Sequence, residues 1–304
     1  MQQIDLQVYN DLPGIFNPAV NEFITAIQVI DKYENSLSFK LINSGMLEGI
    51  EFVNTNEKFY PHVSNSKVII PIIYIYFLYA YCFYIYLTTE HVMIRELDNT
   101  WNGFLKDTQE VRWAYEFYEQ YKRNRDGSYL WNDQLINPST KCIAAKDVNV
   151  LFAMSLVFIY LHEISHLEMK HTRSMADETK ILAEKDADLN ALSIFFHDSQ
   201  EIDIKKFRAI ALGAVLGASI NSINEISRLI SKDHPDTDVR LANLVDYVEL
   251  ADEKSEHYFM TVVGISLSTF CRERSIPMDQ KIFDTVKDCF NYYIAIIGDK
   301  KAES

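Results

Sequence analysis

The pattern of apolar and polar positions divides the chain into a mixed N-terminal region and a longer helical region. Within residues 1–66, the stretches SLSFKLIN and EGIEFVN alternate apolar and polar residues well enough to predict a pair of short strands. From residue 67 onward, long apolar or amphipathic stretches predict helices. We therefore expect a mainly α fold with a small β element near the N-terminus. The predicted division is 1–66 and 67–304, and a single domain over 1–304 stays open as the alternative.

Several long stretches carry the helix prediction. Residues 96–124 have the pattern of one amphipathic helix or two shorter ones. Residues 144–171 are apolar on all sides until His162, which predicts a helix buried on every face. Residues 177–197 and 204–231 follow as further helices, the second rich in small residues that allow close packing. After a polar loop at SKDHPDTD, two or more helices are expected to finish the chain.

One apolar stretch, VIIPIIYIYFLYAYCFYIYL at 68–87, is about as long as a bilayer-spanning helix. Six tyrosines run through it: Tyr74, Tyr76, Tyr79, Tyr81, Tyr84 and Tyr86. A tyrosine hydroxyl needs a hydrogen-bond partner, so tyrosine favours membrane interfaces over the bilayer centre. No cluster of Lys or Arg flanks either end to set an orientation. The pattern favours a buried core helix, and a span through the inner membrane stays open as the alternative.

Composition and charge narrow the possible functions. Glycine and proline are scarce, with 9 and 7 residues, which favours helices over a turn-rich β fold. The formal net charge of −14 argues against a nucleic-acid partner, because phosphate binding needs clustered Lys and Arg. The four cysteines (Cys82, Cys142, Cys271 and Cys289) form no CxxC pair. The N-terminus MQQIDLQVYN shows no secretory signal, so we expect reduced thiols in a cytoplasmic protein.

The segment HEISH at 162–166 has the pattern His-Glu-x-x-His, which is typical of zinc peptidases. On a helix, His162 and His166 lie one turn apart on one face, so both imidazoles can reach one zinc ion. Glu163 is displaced by about 100° around the helix, beside the metal rather than on it. A carboxylate there can accept a proton from the attacking water and pass it to the leaving amine.

A catalytic zinc needs a third protein ligand. In metzincins a Gly and a third His follow at fixed spacing, but Met169 and Thr172 occupy those positions. The predicted helix downstream offers Glu184, which can complete a His2Glu site. Asp188 lies one turn further and is suitably placed to accept the free ring N–H of a zinc-bound histidine. The alternative is that both are solvated charges on an acidic helix.

The segment DHPDTDVRLANL, at 233–244, supplies two more candidates. His234 could donate a hydrogen bond to the oxyanion that forms when water attacks a peptide carbonyl. Arg240 could do the same, or pair with an active-site carboxylate. In the alternative interpretation this segment is an ordinary helix start, with Pro235 in the first turn and Arg240 on the surface.

The ordered set of HEISH, EKDAD, RAIALGAVLGASINS and HPDTDVRLANL resembles the Lit family of phage-exclusion zinc peptidases. The resemblance covers about residues 65–250, and the apolar aromatic stretch upstream matches in character rather than in motif. It implies a zincin-like helical core and a zinc endopeptidase. It also implies a protein substrate, with elongation factor Tu as the candidate, and activation by a phage-derived peptide.

Two other functions compete with this interpretation. A di-iron carboxylate protein needs Glu-x-x-His on two different helices, whereas Glu163/His166 and Glu168/His171 share one predicted helix. A helical interaction module without catalysis, with structural zinc or none, is the other alternative. Structural zinc sites usually have four protein ligands, mostly Cys, and here there are three candidates and no nearby Cys. The sequence favours a zinc endopeptidase.

Overall fold

A computed structural model describes most of the chain. The described residues are 6–7, 16–30, 36–54, 59–97, 109–123, 145–171, 177–197, 202–223, 226–229, 236–247, 253–279 and 283–303. They form two compact units, the first made of 1–87 and 107–171 and the second of 88–106 and 172–304. The predicted division at residue 66 stays a prediction. Within the described residues the fold is mainly α with a small sheet near the N-terminus, as predicted.

The helices and strands lie in this order along the chain. They are β1 (Leu6–Gln7), α1 (Asn17–Ile30), α2 (Leu37–Asn43), β2 (Gly49–Val53), β3 (His62–Ser64), β4 (Lys67–Pro71), α3 (Ile72–Leu97), α4 (Gln109–Arg123), α5 (Ala145–Glu168), α6 (Asp177–His197), α7 (Ile202–Asn221), a 3₁₀ turn (Ile226–Leu229), α8 (Thr237–Tyr247), α9 (Glu253–Glu273) and α10 (Val286–Ala302).

The sheet of the first unit has the strand order β1-β2-β4-β3. β1 and β4 both pair parallel with β2, whereas β3 and β4 form an antiparallel hairpin. Asn65 and Ser66 have φ values of 49° and 60°, which give a two-residue hairpin turn matching the twist of the strands. β4 ends at Pro71 and α3 begins at the next residue, so the sheet leads directly into the aromatic helix.

One strand prediction in this region is wrong. EGIEFVN contains β2, but SLSFKLIN forms the helix α2 instead. Leu37, Ser38 and Leu41 are all buried, and this spacing of one and four residues places them on a single helix face. The local pattern of apolar and polar residues is compatible with both a strand and a helix, and burial of one helix face decides for the helix.

Two tyrosines of α3, the buried Tyr79 and the partly buried Tyr86, find hydrogen-bond partners on α5. Tyr79 Oη donates to Asn149 Oδ1 at 2.9 Å, and Tyr86 Oη donates to Asp147 Oδ2 at 2.8 Å. Because these hydroxyls bond inside the first unit, burying them does not incur the full desolvation cost of an unsatisfied group.

Two of the described helices are long and apolar enough to cross a membrane by length and composition. These segments are 72–92 and 146–168, of which 89% and 78% respectively of the most apolar window is buried in the protein. Core helices of soluble proteins pass the same test, so the location of the protein stays a prediction.

In the second unit, α7 and α9 pack closely along their lengths. Gly213 on α7 allows this approach: a Cβ added there would lie 2.8 Å from Val262 Cγ1 on α9. The predicted helix 204–231 is shorter, because α7 ends at Asn221. There the Arg274 guanidinium donates to the carbonyls of Asn221 and Ile223, so a residue that follows α9 binds the backbone at the end of α7.

Candidate metal centre

His162 and His166 lie on the last turns of α5, the helix that supports the candidate site in the first unit. Most of α5 is buried on every face, so the helix holds its C-terminal turns rigidly. His162 is 8% exposed and His166 is partly buried. Their Nε2 atoms lie 3.1 Å apart, with the ring planes at 84°. The two rings therefore present the same nitrogen to one point.

This spacing fits a metal ion. Two nitrogens bound tetrahedrally to one zinc at 2.0–2.1 Å would stand about 3.3 Å apart, close to the observed separation of 3.1 Å. Glu163, the next residue after His162, is partly exposed at the same helix end. Because Glu163 is one residue further along the helix, its side chain is rotated by about 100° from that of His162. Glu163 therefore lies beside the point that the two histidine nitrogens face, and not between the two histidines.

The helix α5 ends at Glu168, two residues after His166. Lys170 has a φ of 56°, the left-handed conformation that commonly terminates helices. The Lys170 N–H donates to the carbonyl of Leu167, and the His171 N–H donates to the carbonyl of His166. These two bonds make a Schellman motif, which turns His171 back over the end of α5. The His171 and His166 rings then meet, with their Nδ1 atoms 2.9 Å apart.

In the second unit, α6 carries Glu184 and, one turn later, Asp188. Asp188 is only 2% exposed, whereas Glu184 is partly buried. Arg240 on α8 holds the Asp188 carboxylate with two bonds, Nε to Oδ2 at 2.6 Å and Nη2 to Oδ1 at 2.5 Å. Bidentate pairing of this kind fixes both position and orientation of a carboxylate. Pairing with a carboxylate is one of the two roles considered for Arg240, and its part in catalysis stays a prediction.

The start of α8 is tied to the C-terminal helix of the same unit. Lys301 on α10 donates to Asp236 Oδ2 and to both carboxylate oxygens of Asp238, each at 2.9 Å. Burial lowers the pKa of Lys301, but its bonds to the two carboxylates outweigh this and leave the pKa raised. No sequence pattern predicted this contact. His234, the predicted oxyanion donor, lies outside the described residues.

One protein-family model covers the candidate ligands His162, His166 and Glu184. A family model described as Peptidase U49 matches residues 73–262, more than half of the chain. The chain belongs to the peptidase U49 family. No curated protein and no solved structure matches it. Membership of the U49 family implies a peptidase, that is, a hydrolase of peptide bonds.

Among the described residues of this U49 peptidase, His162 and His166 in the first unit and Glu184 in the second are candidate metal ligands. Each offers one ligand atom, two imidazole nitrogens and one carboxylate oxygen, which is a donor set found in catalytic zinc sites. The residues therefore fit a metallopeptidase.

Proposed function

We propose that this U49 peptidase is a zinc-dependent endopeptidase with its active site at the end of α5. The observation that carries the proposal is the His162–His166 pair, whose Nε2 atoms lie 3.1 Å apart in a member of a peptidase family. Two facing imidazole nitrogens at this distance suit two ligands of one metal ion. Since imidazole and carboxylate ligands with an open fourth position are typical of catalytic zinc, hydrolysis by water is the chemistry we infer.

In this proposal His162, His166 and Glu184 bind the zinc. The ion, when bound, supplies Lewis acidity, which lowers the pKa of water and polarises a carbonyl. The partly exposed Glu163 carboxylate accepts a proton from the attacking water and delivers it to the leaving amine. His234 is our candidate donor to the oxyanion.

Asp188 and Arg240 act by positioning in this account. The guanidinium of Arg240 fixes both oxygens of Asp188 on α6, one turn after Glu184. Each carboxylate oxygen has a second lone pair, so Asp188 can also accept a ring N–H of a zinc-bound histidine. This arrangement would orient α6 so that Glu184 keeps the position that a ligand requires.

The substrate and setting of the proposed reaction follow from the resemblance to the Lit family. We propose a protein substrate in the cytoplasm, with elongation factor Tu as the first candidate. A phage capsid peptide is the proposed activator, which would make the protein a latent peptidase acting in phage exclusion. Burial of α3 in the protein supports a core helix over inner-membrane association.

The test is cleavage of purified elongation factor Tu, with and without a phage capsid peptide, by the wild type and two glutamate variants. Glu163→Gln keeps the size of the side chain but removes the base, so we expect at least about a 100-fold loss of cleavage. Glu168→Gln is the matched control, because Glu168 is exposed at the end of the same helix, and it should cleave as the wild type does.

A fully active Glu163→Gln variant would contradict the assignment of the base. If the zinc-loaded wild type cleaves neither elongation factor Tu nor an unselected peptide library, with the capsid peptide present, the helical interaction module becomes the better interpretation. Cleavage of the library but not of elongation factor Tu would keep the peptidase and exclude the proposed substrate.

A further inference from the structure

The Nδ1 contact between His166 and His171 has a chemical consequence. At 2.9 Å the two nitrogens are within hydrogen-bond distance, so one must carry the proton and the other must accept it. The His166 Nε2 faces His162 Nε2 and is the atom available to a metal. A neutral imidazole that binds a metal through Nε2 has its proton on Nδ1. His166 is then the donor, and His171 Nδ1 is the acceptor.

We propose that His171 is a positioning residue for the metal centre: it accepts the Nδ1–H of His166 and holds His166 Nε2 toward the metal. This inference rests on the proposed function, since it assigns His166 as a metal ligand. Hydrogen bonds to the distal nitrogen of a metal-binding histidine fix its tautomer and raise its basicity.

The backbone shows that this contact is built into the helix end. The His171 N–H donates at 3.0 Å to the carbonyl of His166, so the two residues are joined through main chain and side chain together. The left-handed φ of Lys170 makes that return possible, although lysine, unlike glycine, has a Cβ that disfavours this conformation. The ring centroids of His166 and His171 lie 5.2 Å apart at 66°, which aims nitrogen at nitrogen rather than stacking the rings.

The test compares three substitutions of His171 by zinc affinity, measured through competition with a fluorescent chelator. His171→Phe keeps an aromatic ring of similar size but has no acceptor, and His171→Ala removes the ring. Both are expected to weaken zinc binding by about 10- to 100-fold, the range found for partners of metal-bound histidines. His171→Asn retains an acceptor oxygen and is expected to recover part of this loss.

A second measurement separates positioning from general damage to the fold. Thermal unfolding of the metal-free protein should be similar for His171→Phe and His171→Asn, although their zinc affinities differ. Lys170→Gly relieves the left-handed conformation while keeping the turn, and it should bind zinc at least as tightly as the wild type.

The outcomes distinguish this inference from the proposed function. If the wild type binds zinc and His171→Phe binds it equally well, or His171→Asn as weakly as His171→Phe, the positioning role is wrong and the metal centre stands. If removing His171 costs as much as removing His162, His171 is itself a ligand and the inference is wrong. If the wild type binds no zinc, the proposed function fails, and this inference fails with it.

Discussion

Removal of the Arg240 guanidinium tests how much the second unit depends on its buried ion pair. In Arg240→Ala the Asp188 carboxylate, 2% exposed, loses a partner that holds both oxygens at 2.5–2.6 Å. Breaking a buried ion pair by removing one side costs about 3–5 kcal/mol. The Arg240 side chain is 23% exposed, so water screens part of the charge and the lower end of about 3 kcal/mol applies.

The chain supplies a matched control in another arginine–carboxylate pair. Arg123 contacts Glu119 through Nε at 3.2 Å and Nη2 at 2.9 Å, but its side chain is 77% exposed. Removing an exposed pair of this kind costs less than about 1 kcal/mol. Arg123→Ala should therefore scarcely change the unfolding of the protein.

Scanning calorimetry of the full chain measures the difference. For a unit of this size about 1 kcal/mol shifts Tm by roughly 2–4 °C, so Arg240→Ala should lower the transition of the second unit by roughly 6–12 °C. Arg240→Lys keeps the charge but not the two-pronged geometry, and an intermediate Tm is expected. The reasoning is refuted if Arg240→Ala shifts Tm no more than Arg123→Ala does.

Three further predictions follow from local geometry. Gly213→Ala should lower stability by about 1–2 kcal/mol in denaturant titrations, because the new Cβ would lie 2.8 Å from a buried side chain of α9. Gly298→Ala is the control: a Cβ there has no neighbour within 4 Å, so this variant should raise stability by about 0.5–1 kcal/mol. Burial raises the pKa of the Cys82 thiol to about 12, with a hydrogen bond lowering it in part, so native Cys82 should resist alkylation at pH 8 in site-resolved mass spectrometry. Rapid alkylation of Cys82 in the native protein would contradict this burial. Because the pKa lies above its unfolded value of 9.0, the contribution of Cys82 to stability is fully present below pH 9 and is lost as pH rises toward 12. Lys301→Ala should destabilise the protein by about 1–2 kcal/mol, because it removes the ion pairs to Asp236 and Asp238. Lys300→Ala removes a more exposed pair and should cost less than about 0.5 kcal/mol. Equal melting temperatures of the two variants would contradict the anchoring of α8.

The long helices could be predicted because their pattern is strong over many turns. The stretch 177–197 was predicted with the bounds that the structure shows, and 144–171 contains α5 together with the turn that ends it. These segments are long compared with strands, so an apolar or periodic run of that length leaves little choice but a helix.

Short segments and helix ends could not be predicted, because they involve contacts with residues distant in the sequence. The segment 37–43 fits both a strand and a helix, and only packing of one face decides. At the end of α7, Arg274, which is distant in sequence, donates to the carbonyl of Asn221. The contact of His171 with His166 could not be predicted, because a lysine at the preceding position gives no sign of a left-handed turn.

In the candidate site, His162, Glu163 and His166 could be predicted because a single helix converts their spacing directly into geometry. The spacing of one helical turn between Glu184 and Asp188 could be predicted by the same rule. The sequence offered a carboxylate partner for Arg240 as one alternative, but it could not identify Asp188 as that partner, because α6 and α8 are brought together by the fold of the second unit. The Lys301 anchor falls outside residues 73–262, the part of the chain that matches the family.

Zinc content is the most direct measure of the central claim. Elemental analysis would be performed on the purified wild type and on His162→Ala, Glu184→Ala and Glu163→Gln. We predict one zinc per chain in the wild type and in Glu163→Gln, and loss of zinc in the other two variants, because only their side chains are proposed as ligands. A wild type without zinc, or zinc that survives His162→Ala, would contradict the metal centre proposed for this peptidase.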